Sequence, residues 1–201
     1  MKKYFFYCCS IGFLFSCSNA DKNIATSIGD TNEIDTTITF FPVTSFIKGQ
    51  LLILDSLPVT VLQVTTKYNK SDSLWISTSK LRAQLDPFIS TEINETNLRP
   101  FFKQTKFRDQ GIDAFTFTYE PISNLPDSIL LRHWDIYINP EKGIVKRVYL
   151  LKKFIEAGQN YTHQLTWQTN KWAKIVTILN RPEGNSEIVN EIKFIWDLSD
   201  E

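Results

Sequence analysis

The alternation of apolar and polar positions changes character three times along the chain. Tyr4 to Phe15 is a largely apolar run behind Lys2 and Lys3. Ser18 to Thr37 is polar, rich in Ser, Thr, Asn and Asp, and has no clear period. After Pro42, which suits a first helical turn, Val43, Phe46, Ile47, Gln50, Leu51 and Leu54 recur at helical spacing, and only Gln50 among them is polar. Val59 to Tyr68 is β-branched and stops at Asn69, which predicts a strand. Trp75-Ile76-Ser77-Thr78 leads into a second helix. Ser77, Thr78 or Ser79 can cap it, and Leu81, Leu85, Phe88 and Ile89 form its apolar side. Pro87 ends or kinks that helix, because its nitrogen has no hydrogen to donate.

From Phe101 onward the period becomes two. Phe115, Phe117 and Tyr119 alternate with Thr116, Thr118 and Glu120, after a turn signal at Asp109-Gln110-Gly111. Leu131 to Ile138 and Ile144 to Phe154 flank Asn139-Pro140-Glu141-Lys142-Gly143, a short hairpin in which Gly supplies the positive φ. Tyr161, His163, Leu165 and Trp167 alternate with polar residues, and Thr169-Asn170-Lys171 turns the chain into Trp172 to Leu179. Ile188, Ile192, Phe194 and Trp196 line one side of a last strand. Strands joined by such short connections are antiparallel neighbours. The expectation is an α+β domain over residues 38–201: an antiparallel meander of six or more strands with two N-terminal helices.

Several strands are apolar on one face only, so the sheet has a dry and a wet face. Two arrangements follow. The helices cover the dry face, or the sheet curls into a half-barrel whose aromatic lining makes a ligand groove. Phe115, Phe117, Tyr119, Trp134 and Trp167 are the candidate groove residues, and Trp172, Phe194 and Trp196 also fall on strands. As plain core, the same rings need no ligand.

Composition narrows the class. Hydrophobic residues make up 42% of the 201, enough for a core, so wholesale disorder is excluded. Lys and Arg number 22 and so do Asp and Glu; that balance argues against nucleic-acid binding. All three cysteines, Cys8, Cys9 and Cys17, lie near the N-terminus. The run from Tyr4 to Phe15 is too short to span a hydrocarbon core of about 30 Å and suits the apolar region of a signal peptide.

That run ends in Leu14-Phe15-Ser16-Cys17, which resembles the lipobox of bacterial lipoproteins, with an aliphatic residue three before the Cys and a small one beside it. The resemblance implies a signal peptide over 1–16, an acylated Cys17 (diacylglyceryl, with palmitate-type chains) and a tether over 17–37. A coil of that length spans roughly 25 Å. Removing Lys2 and Lys3 leaves two more acids than bases. Ser18 is not the Asp that retains such proteins at the inner membrane, so the outer membrane is the implied destination. The chain looks like the small lipoproteins of Bacteroidetes-type bacteria. Its hairpin Trp134 to Gly143 is similar to a strand-turn-strand of periplasmic lipoprotein carriers, which implies the half-barrel. Asp35-Thr36-Thr37, Asp55-Ser56-Leu57, Asp72-Ser73-Leu74 and Asp127-Ser128-Ile129 resemble O-glycosylation sites of the same bacteria.

Catalytic motifs are absent from the sequence: no GxSxG, HExxH, GxGxxG or GxxxxGK[ST] occurs. His133 and His163 are the only histidines, and a shared zinc would need two further ligands. Asp135, two residues from His133 on one strand, is within its reach. Lys146-Arg147 and Lys152-Lys153 read as solvated strand charge. The expected function is a non-catalytic, lipid-anchored envelope module that binds a partner or stabilises a complex, with no cofactor. The alternatives are a lipid- or hydrophobic-ligand-binding half-barrel, and a hydrolase with an assembled carboxylate or His–Asp site.

Overall fold

The computed structural model describes residues 40–196. The expected signal peptide, Cys17 and the tether lie outside the described residues. Pro42 starts α1 (Val43–Ser56): its carbonyl accepts from Phe46 N at 3.0 Å. Helical spacing then puts Val43, Ile47, Leu51 and Leu54 in the core. Next come β1 (Val61–Lys67) and β2 (Lys70–Ile76), joined by Tyr68 and Asn69, whose φ angles are 46° and 60°. Two consecutive left-handed residues match the twist of a two-residue hairpin. The sequence pattern predicts no strand directly after Asn69, yet β2 follows there. Only Ile76 of β2 is buried, so the ladder to β1 holds this strand rather than an apolar face.

The expected second helix divides at Leu85 into α2 (Thr78–Gln84) and α3 (Asp86–Ile89), with Pro87 in the first turn of α3 rather than at the break. Ser77 caps α2 by accepting from Lys80 N. A further short turn, α4 (Glu95–Leu98), follows. There are thus four helices among the described residues rather than two, with β1 and β2 between the first and second.

Seven strands complete the chain in order: β3 (Phe102–Asp109), β4 (Ala114–Pro121), β5 (Leu131–Ile138), β6 (Val145–Glu156), β7 (Gln159–Gln168), β8 (Trp172–Asn180) and β9 (Ser186–Ile195). They form the expected antiparallel meander. Nine strands make one open sheet in the order β2-β1-β9-β8-β7-β6-β5-β4-β3. The hairpin β1–β2 is the departure from the meander, since β1 pairs with β9 at the far end of the sequence.

Register explains which faces are dry. Tyr119, Trp134, Leu150, Leu165 and Ile175 stand side by side across β4 to β8, and every one is buried. The buried cluster joins this row to Ile47, Leu51, Leu81 and Phe88 of the helices. Two irregularities reset the alternation. In β5, Leu131 pairs Lys152 and His133 pairs Leu151, so Arg132 is the extra residue of a bulge. In β9, Thr177 pairs Asn190 and Ile178 pairs Ile188, which turns Ile188 off the Ile192 and Phe194 side; it is 58% exposed. No helix among the described residues is long and apolar enough to cross a membrane.

Candidate functional site

The sequence nominated five rings, and the structure divides them. Tyr119 stacks on Trp134, with centroids 4.3 Å apart and planes 6° from parallel. Phe40 and Phe102 meet Trp134 edge-on, at 6.0 and 4.8 Å. The Tyr119 hydroxyl accepts from Phe41 N at 3.1 Å; burial raises its pKa and that bond partly opposes the rise. Trp167 lies apart from this group, against Phe88 of α3 at 5.9 Å and Trp196 at 5.1 Å. Phe115 and Phe117 are half-buried near the outer edge, where Lys106 sits over both rings and Arg108 over Phe115. Tyr119, Trp134 and Trp167 are therefore covered by the chain's own helices and leading segment.

On the opposite face lies a polar cluster around Asp135. Its Oδ1 accepts from Thr118 Oγ1 at 2.6 Å. Its Oδ2 accepts from His133 Nε2 at 2.9 Å and from the Tyr137 hydroxyl at 3.3 Å. The hydrogen bond to Asp135 raises the His133 pKa against the pull of burial. Burial first, then the Asp135 charge, pushes Tyr137 up to about 12. The three donors converge on one carboxylate. Thr118 donates to Asp135 rather than presenting a hydroxyl to the imidazole. His163 stands on the other face of the sheet beside buried Lys152, so the two histidines cannot share a ligand. Among the described residues, no three His, Cys, Asp or Glu side chains gather as a metal site.

A cleft of about 630 Å³ opens at one end of the sheet. It is framed by the start of β5, the β6–β7 turn region, the β8–β9 turn and the loop before β5. Three cations line it: Arg132, Lys153 and Arg181. The bulge in β5 brings Arg132 there. Arg181 is paired with Glu187 at 2.7 Å. Arg132 and Lys153 meet no acid within 4 Å among the described residues, although Asp127 also lines the cleft. The apolar wall comprises Leu130, Ile155 and the stacked rings of Phe154 and Tyr161, whose centroids are 5.5 Å apart.

Sequence reasoning placed Lys153 in a solvated charge pair and passed over Arg132 and Arg181. The three are distant along the chain, and only strand register brings them together. A bulge leaves no mark in an alternation pattern that short. The other half of that pair, Lys152, is not solvated: it is 3% exposed and donates to Pro87 O at 2.6 Å. It falls on the dry face because it pairs Leu131 in β5 and His163 in β7.

Compared with family models, curated proteins and solved structures, the chain matches none.

Proposed function

We propose that the chain is a lipid-anchored cell-envelope protein whose ordered domain is a non-catalytic binding or structural module. The observation that carries this reading is the filling of the aromatic face. Phe40 packs on Tyr119 and Trp134, and Phe88 on Trp167, where a transported lipid would have to lie. A curved half-barrel carrying an apolar ligand ranks lower, since the helices would have to leave. A hydrolase ranks lower still, since the Thr118 and Tyr137 hydroxyls donate to Asp135 rather than to His133 and no catalytic motif occurs in the sequence. The anchor is the acylated Cys17 implied by Leu14-Phe15-Ser16-Cys17, and stable attachment follows from two or more acyl chains.

Metabolic labelling with radioactive palmitate, in a bacterium that processes lipoproteins, tests this directly. Label should enter the wild-type chain and fractionate with the outer membrane, and Cys17→Ser should lose both. An unlabelled wild-type chain, or a product that still begins at Met1, would overturn the anchor.

A further inference from the structure

We infer that the cleft at the sheet end binds an organic anion, a phosphate monoester bearing an apolar substituent. Its volume of about 630 Å³ falls within the ordinary range for small-molecule sites. Its charge is the first argument. The whole chain is neutral, yet this cleft gathers Arg132, Lys153 and Arg181 against Asp127 alone. Arg181 is paired with Glu187, which leaves Arg132 and Lys153 as the lining cations without an ion pair among the described residues, with one charge in excess of Asp127. A guanidinium and an ammonium lining one cleft suit a compact anion with several acceptor oxygens: a guanidinium fork can bind two of them and an ammonium a third.

The lining supplies the second argument. An inorganic ion needs no apolar contact, but Leu130 is 38% and Ile155 74% exposed here, beside the Phe154–Tyr161 stack. Water-exposed aliphatic surface next to unpaired cations is complementary to an anion with an apolar body. Two of the polar neighbours are already engaged. Asn180 Nδ2 donates to Thr162 Oγ1 at 2.8 Å, and the Tyr161 hydroxyl donates to Gln159 Oε1 at 2.8 Å. This site stands whether or not Cys17 is acylated, and it is separate from the covered aromatic face.

Calorimetric titration of the full chain with phenyl phosphate, inorganic phosphate and phenol tests the proposal. Phenyl phosphate should saturate one site, inorganic phosphate should bind about tenfold more weakly, and phenol should give no saturable heat. The double substitution Arg132→Gln with Lys153→Gln should weaken phenyl phosphate about tenfold or more while the thermal unfolding midpoint stays put. Ile155→Ala, at an exposed position, should narrow the gap between phenyl phosphate and inorganic phosphate. Absence of saturation by phenyl phosphate, or equal affinity in wild type and the double variant, would overturn the site. Vesicles containing phosphatidic acid distinguish the source. Competition with phenyl phosphate, absent with phosphatidylcholine vesicles, identifies a lipid headgroup; lack of competition identifies a soluble ligand.

Discussion

Lys152 carries the clearest cost at the level of one side chain. Burial pulls its pKa from 10.5 down to about 8, and Asp86 opposes the shift only partly. Below about 8 both folded and unfolded chains hold the proton and the penalty is complete. Between about 8 and 10.5 the unfolded chain binds more protons, so stability rises with pH across that window. Lys152→Met removes the buried charge and also the bond to Pro87 O. It should be more stable than wild type by about 2 kcal/mol at pH 7, an advantage that shrinks toward pH 10.5 in urea unfolding. A pH-independent difference would contradict this account. The histidines titrate in opposite directions. The raised pKa of His133 gives stability that is complete below 6.5 and lost as pH climbs through the folded value. The lowered pKa of His163, set by burial and then Lys152, makes stability fall as pH drops below 6.5 through the folded value. In unfolding measurements, His133→Gln should therefore cost more at pH 6 than at pH 8, and the cost of His163→Gln should shrink on acidification. Alternation in the sequence revealed both histidines and the nearness of Asp135. A Lys-Lys pair on a strand sends one member to each face, and the pair itself does not mark which member meets the dry side; pairing with Leu131 and His163 puts Lys152 there.

Individual elements were legible where burial and turn chemistry agree. The α1 spacing and the β5–β6 turn read directly, whereas the break in the second helix falls at Leu85, ahead of Pro87. In that turn Gly143 has φ of 65°, and Asn139 Oδ1 accepts from Glu141 N and Lys142 N. Strand β2 was illegible because its residues bury almost nothing. The contacts that seat the helices were equally hidden. Thr44, 2% exposed, accepts from Ile93 N at 2.8 Å through its hydroxyl and donates to Thr91 O at 3.3 Å. Arg82 pairs with Asp55 and Gln84 donates to Gln63, tying α2 to α1 and to β1. Thr44→Val keeps the shape but leaves the Ile93 amide without its acceptor. The expected loss is about 1–3 kcal/mol, read as a lower denaturant midpoint with an unchanged slope. An unaltered midpoint would mean that the clip contributes nothing.

For the molecule as a whole, the sequence conveyed the antiparallel sheet and its dry side, since a period of two over successive strands leaves few other arrangements. The cleft was beyond it, because its cations arrive from a bulge, a strand end and a turn. The topology also orders events in time. Leu62 and Thr66 of β1 hydrogen-bond into a ladder with Ile195 and Glu191, so an early stretch of backbone waits for the last strand before its second edge is satisfied. Such distant pairing makes loop closure slow. A nascent chain emerging N-terminus first cannot finish this sheet until its last strand is free. The β1–β2 hairpin accordingly stays an unpaired edge until the residues of β9 are available to dock against it.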